Sequence, residues 1–97
     1  MRRSYLVSLE AQQDLDDIWD YTEERWGETQ AERYASELKA SVEALASGKR
    51  QGRPCDQIRP GLFKLACGSH VVFYKQTRTA VTVVRILHQR MDFARHL

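Results

Sequence analysis

Six residues in the second half of the chain, Lys64, His70, Tyr74, Arg85, His88 and Arg90, are of the types that cleave a phosphodiester without a metal. In such chemistry clustered Lys and Arg stabilise the charge that develops at phosphorus, while a Tyr or His moves the protons. The last tyrosine is Tyr74, inside a run that reads as a strand, and the tail Phe93-Ala94-Arg95-His96-Leu97 has none. A nuclease built here has to recruit His88 or His96. His70 and His88 titrate near neutrality as an acid–base pair would, yet each falls at a strand edge, where bonding to backbone is the commoner job. Residue types without shared geometry do not make a catalytic site, and no catalytic residue is assigned.

The acids invite a metal-site reading. Asp14, Asp16, Asp17, Asp20, Glu23 and Glu24 are crowded together, but helical spacing interleaves them with Leu15, Ile18 and Trp19. They read as the solvated face of an amphipathic helix. Two-metal hydrolysis needs carboxylates converging from separate elements, which one helix does not supply. Cys55 and Cys67 are the only cysteines and read as small apolar residues rather than a disulfide or half a zinc site. A chain of 97 residues buries about 60 to 70% of its unfolded surface, enough for one domain of two packed layers. Neither a metal nor a cofactor is expected.

Charge divides the chain. Residues 1–46 hold five Lys and Arg against eleven Asp and Glu, net −6; residues 47–97 hold ten against two, net +8. A basic second half suggests an acidic partner, whether a protein face or phosphates. The first apolar run stops at Val7, far short of the roughly 20 residues that span a bilayer, so a cytoplasmic protein without membrane contact is expected. A single-strand-binding module fits poorly, because the aromatics Trp19, Tyr21, Trp26 and Tyr34 fall among the acidic helices and not the basic strands. No sequence-specific nucleic-acid binding is expected.

The elements that must position these residues follow from periodicity. Tyr5-Leu6-Val7 is β-prone, and Ser8 caps a helix over Leu9 to Arg25 with an apolar stripe at Ala11, Leu15, Ile18, Thr22 and Trp26. Gly27 ends it. Thr29-Gln30-Ala31-Glu32 fits a capping box for a second helix, striped by Ala31, Tyr34, Ala35, Leu38, Val42 and Leu45 and ending near Ser47. Gly48 to Pro54 has no periodicity and reads as an exposed loop. Beyond Ile58 the period becomes two, giving strands at Leu62–Cys67, His70–Gln76 and Val81–Leu87 joined as an antiparallel meander. The predicted fold is α+β, a two-layer sandwich of order β-α-α-β-β-β with a helical hairpin on an antiparallel sheet.

The runs Ala11-x-x-Asp14-Leu15-x-x-Ile18-Trp19-x-Tyr21-Thr22, Arg25-Trp26-Gly27 and Gln30-Ala31-x-x-Tyr34 resemble the helical half of ParE-type toxins of the RelE/ParE superfamily. Ile58-Arg59-Pro60-Gly61-Leu62, Gly68 to Tyr74 and Arg85 to Asp92 resemble the sheet half and tail. One departure is Gly48-Lys49-Arg50-Gln51, where the family more often has an Asn-Pro-like turn. The resemblance implies a non-enzymatic toxin that binds DNA gyrase and is neutralised by a ParD-type antitoxin wrapping around it. The superfamily's other branch, ribosome-dependent RelE-like ribonucleases, is the alternative.

On that resemblance the aromatic surface that a small domain leaves unburied is the antitoxin site, with Leu15, Ile18, Trp19, Trp26, Tyr34 and Leu38 as its residues. The target site draws on Arg59, Arg85, His88, Arg90 and Arg95. Arg85 lies among Val83, Val84, Ile86 and Leu87, so it either emerges from an open sheet face or pairs with an acid, Asp92 being nearest in sequence. The tail has two readings: its cations meet the target, or Met91, Phe93 and Leu97 fold back as a clasp over the sheet.

Overall fold

The computed structural model describes residues 2–97. The first strand, β1 (Ser4–Val7), ends at Ser8, whose extended backbone and side-chain oxygen start helix α1 (Leu9–Trp26). That oxygen accepts from the Ala11 N–H at 3.0 Å and its hydroxyl donates to the Val84 carbonyl at 2.7 Å, so one residue caps the helix and ties it to the sheet. Gly27, at φ 91°, closes α1 through its N–H to Glu23 and opens α2 (Glu28–Ser47) in the same step. The expected capping box does not form. The reversal takes a single residue, so Thr29 already lies inside the first turn of α2 and no side chain caps that helix.

Gly48, left-handed at φ 82°, ends α2 as predicted. There follow β2 (Arg53–Pro54), β3 (Phe63–Cys67), β4 (His70–Gln76), β5 (Ala80–His88) and a short helix α3 (Phe93–His96). The sheet order is β1-β5-β4-β3-β2. The last three strands form the expected meander, paired antiparallel from Phe63↔Tyr74 to His70↔His88.

Two features differ from expectation. The sheet is mixed, because β1 runs parallel to β5 with Tyr5 opposite Val81. Two helices, then β2, β3 and β4, reverse the chain often enough that β5 travels in the direction of β1. The supposed loop also contributes β2, an edge strand whose Pro54 tolerates the edge because it has no N–H to leave unpaired.

The sheet carries a core on each face. Toward the hairpin, Ala11, Leu38, Val42 and Leu45 pack on Leu65, Val72, Tyr74, Val81, Val83 and Ile86. On the other face Cys55, Leu62, Val71, Phe73 and Leu87 are buried beneath Ile58, Phe93 and Leu97. That face is therefore not open: the Cys55–Leu62 segment and α3 cover part of it. Phe93 meets Phe73 edge-on with ring centroids 4.9 Å apart. Phe93 and Leu97 act as the clasp, whereas Met91 stays 43% exposed. Both cysteines are buried free thiols. Among the described residues no helix is long and apolar enough to cross a membrane.

Candidate functional site

The helical hairpin does not close on itself. A groove of about 350 Å³ lies between α1, α2 and the sheet. Leu15, Ile18 and Trp19 form one wall, and Tyr34 and Leu38 stand on the other, above a floor that includes Val83 and Ile86. Ala31 and Ala35 of α2 also line the groove, two small side chains that project little into it. Sequence reasoning named the five large residues and missed the two alanines. Trp26, the sixth residue of that set, does not line the groove; it stands 67% exposed, one turn beyond the lining residue Thr22. Leu38, at 1% exposure, belongs to the base of the groove and not its rim. Gln12, Asp16 and Lys39 supply polar edges.

The basic candidates are distributed differently. Arg85 is tied to Asp14, its Nε donating to Oδ2 at 2.8 Å and its Nη2 to Oδ1 at 2.9 Å. Asp14 Oδ2 also accepts from the Ile86 N–H at 2.9 Å. The cause is local: β1 pairs only as far as Val83, an irregularity in the β4–β5 register follows, and the unpaired strand edge beyond is filled by the α1 carboxylate. The partner of Arg85 is thus Asp14 and not Asp92, and Asp14 leaves the solvated acidic face to which its helical position assigned it. These bonds hold the guanidinium still more firmly protonated, outweighing its burial. Arg85 also donates to the His96 carbonyl at 2.9 Å, and Arg59 to the Leu97 main-chain oxygen at 2.8 Å. Arg59 and Arg85 therefore anchor the tail. Arg90 and Arg95 are exposed, with no ion-pair partner among the described residues.

The histidines join a third cluster. The Tyr34 hydroxyl accepts from the Ser69 N–H at 3.0 Å and lies 2.6 Å from His70 Nδ1 and 3.4 Å from the Cys67 carbonyl oxygen. Burial pushes the His70 imidazole down to about 4, and neighbouring His88 adds to the effect. His70 is accordingly neutral near pH 7, with Nδ1 engaged by Tyr34. His88 meets its ring edge-on at 5.3 Å and accepts the Arg90 N–H at 3.2 Å. A side chain at Gly68 would collide with the Tyr34 ring, so the β3–β4 turn is shaped around this tyrosine. Tyr34 both lines the groove and holds the turn, a coupling that helical spacing alone did not reveal. Among the described residues no group of three or more His, Cys, Asp or Glu is placed to hold a metal ion.

Comparison with known proteins bears on these features together. Residues 5–93 match the family model described as the ParE toxin of the type II toxin–antitoxin system parDE. The chain is 50% identical over 98 residues to Toxin ParE1 of Mycobacterium tuberculosis, covering all of both proteins. It is 45% identical over 95 residues to Toxin ParE1 of Caulobacter vibrioides, covering 98% of each. Its fold is similar to a chain from the solved chromosomal ParDE TA system of P. aeruginosa, with TM-score 0.77 and 21% identity, covering 90% of this chain and 96% of that one. With nearly the whole length matched in sequence and the same helical hairpin on a mixed sheet, the chain belongs to the ParE family of toxins of type II toxin–antitoxin systems.

Proposed function

We propose that the chain acts in the cytoplasm by binding DNA gyrase, with no chemistry of its own, and is held inactive by a ParD-type antitoxin that fills the groove between α1 and α2. The groove carries this reading. The chain's own tail covers the centre of the opposite face of the sheet, whereas here Leu15, Ile18, Trp19 and Tyr34 surround space the domain does not fill. An amphipathic segment laid into it would bury aromatic anchors at the centre of an interface with polar edges.

Binding is favoured over ribonuclease chemistry by the state of the candidate catalytic groups. His70 is neutral with Nδ1 engaged by Tyr34, and the Arg85 charge is satisfied by Asp14. The contacts within the fold already engage Nδ1 of His70 and the Nε and Nη2 groups of Arg85, which leaves less of either side chain for a scissile phosphate. The test is direct: the purified chain should inhibit gyrase supercoiling and accumulate cleaved complexes while leaving ribosome-bound messenger intact. Codon-specific cleavage at the ribosome, lost in His88→Ala, would transfer the chain to the ribonuclease branch. For the partner, Trp19→Asp and Tyr34→Asp should weaken antitoxin binding in variants that stay folded. Unchanged affinity in both would remove the hairpin from the interface.

A further inference from the structure

On the sheet face turned away from the hairpin, a second groove of about 400 Å³ runs beside the β2–β3 edge. Its polar wall is Arg50, Arg53 and Lys64, and Ala66, Val71 and Phe93 make its apolar wall. Lys64 and Ala66 reach this face because they alternate with Leu65 and Cys67, which pack under the hairpin. Phe93 arrives from the far end of the chain on α3, so the fold supplies the basic surface with an aromatic neighbour that sequence order had kept apart from it.

The cations are held together against their own repulsion. Arg53 and Lys64 are direct cross-strand partners. Like charges opposite one another destabilise a sheet, and Lys64 is partly buried. Among the described residues both ion pairs belong to Arg85, so Arg50, Arg53 and Lys64 have no carboxylate within ion-pair distance. The backbone around them is fixed. The Gly52 N–H donates to the hydroxyl of fully buried Tyr74 at 2.8 Å, and the Arg50 N–H to the Ala44 carbonyl at 3.1 Å. A side chain at Gly52 would collide with that hydroxyl and with the Lys64 main-chain oxygen. The segment read as a loose loop is thus latched, and it presents arginines on both sides of the latch.

We propose that this groove binds the phosphodiester backbone of a nucleic acid without regard to sequence. Adjacent guanidinium and ammonium groups without internal partners match a chain that carries one charge at every phosphate, since each phosphate offers two oxygens to neighbouring donors. The apolar wall beside them suits the sugar and base faces that accompany such a backbone. Scattered carboxylates of an acidic protein would meet the cations but leave Ala66 and half-buried Phe93 uncovered. The acidic helices, on the other side of the sheet, orient the molecule so that this face leads toward phosphate. Under the gyrase reading, the DNA that gyrase holds is one source of such a backbone, but the groove is assigned from this chain alone.

The experiment is fluorescence anisotropy of the purified chain with a short labelled single strand and with the matching duplex, gyrase being absent. Binding should weaken between 50 and 200 mM salt with a log–log slope of about −1.8 to −2.7 for the duplex and about −1.4 to −2.1 for the single strand, as two or three phosphate contacts require. Arg50→Ala combined with Arg53→Ala, and separately Lys64→Gln, should lower affinity about tenfold and flatten the slope by about 1 to 2, at a melting temperature equal to or above that of the parent chain. Arg50→Lys with Arg53→Lys should restore most of the slope. Either probe binding in this manner supports the groove, and the preferred one identifies the source. Absence of salt-sensitive binding to both, or binding undiminished in the double Ala variant, overturns it. Polyglutamate competing as well as oligonucleotide at equal charge also overturns it, in favour of an acidic protein partner. Loss of oligonucleotide binding and failure to inhibit supercoiling are separate results: the first sinks the groove assignment, the second the gyrase assignment.

Discussion

The two faces of the sheet solve the same problem in opposite ways. On one, Cys55–Leu62 and α3 lie over Phe73, Val71 and Leu87, and Arg59 and Arg85 bind the main-chain oxygens of Leu97 and His96 to keep the cover in place. On the other, the hairpin buries Leu38, Val42 and Leu45 but leaves a groove beside Leu15, Ile18, Trp19 and Tyr34. In a domain this small each large apolar side chain is a sizeable share of the available core. Apolar volume left unfilled beside a well-packed sheet therefore marks a surface completed by something else. Where α3 and the Cys55–Leu62 segment cover it, the far face serves stability, and the space left beside the hairpin is available for recognition.

The comparison breaks if the faces respond alike to truncation. Phe73→Ala removes a fully buried ring that also supports Phe93, and it should lower unfolding free energy by about 3 to 5 kcal/mol in urea titration. Trp19→Ala, in the groove, should change stability by no more than about 1 kcal/mol and weaken antitoxin binding at least about tenfold. Equal losses of stability in the two variants would mean that the groove is ordinary core.

Next in size is the bond between the faces. Asp14 accepts from Arg85 and from the Ile86 N–H, with both charged side chains largely out of water. Asp14→Leu leaves a guanidinium and a strand N–H without their acceptor, at a cost of about 2 to 4 kcal/mol. Adding Arg85→Met should recover a good part of that loss, because the uncompensated charge goes with it. A double variant no more stable than Asp14→Leu alone would show that the carboxylate acts mainly on the strand edge. Phe93→Ala should cost less, about 1 to 3 kcal/mol, since this ring covers the core and is only partly buried.

These residues also show what was legible beforehand. Ser8, Gly27 and Gly48 announced the helix ends, and alternation from Leu62 onward gave the meander, because both signals are local. The groove's large residues followed from the helical stripes. Three things did not follow. The parallel pairing of β1 with β5 joins residues 76 positions apart and has no local signature. Asp14 looked like any other acid of α1 until a register shift in β5 turned Arg85 toward it. The latch at Gly52 depends on Tyr74, a strand residue whose hydroxyl has no partner in its own strand pairing.

A smaller effect comes from pH. His70 titrates near 4 in the fold and near 6.5 when exposed, so below pH 6.5 the unfolded chain takes up a proton that the folded chain refuses. Its contribution is complete above pH 6.5, is lost as pH falls toward 4, and stays constant below. Melting temperature should therefore decline across that window more steeply in the wild type than in His70→Gln. Identical slopes would show that the imidazole titrates normally in the fold.

The smallest effect on stability should come from the tail's unpaired cations, and it separates covering from contacting most sharply. Arg90 and Arg95 are exposed, while Phe93 and Leu97 on the same segment pack inward. Arg90→Ala with Arg95→Ala should therefore shift unfolding free energy by less than about 0.5 kcal/mol, the usual range for surface changes away from special features. Antitoxin affinity should hold, because the groove lies across the sheet from α3. If the tail meets the target through its charges, toxicity in cells should fall at equal protein abundance. Full toxicity in the double variant would confine the tail to its role as cover, and would leave the cations of β2 and β3 as the basic surface available to a target.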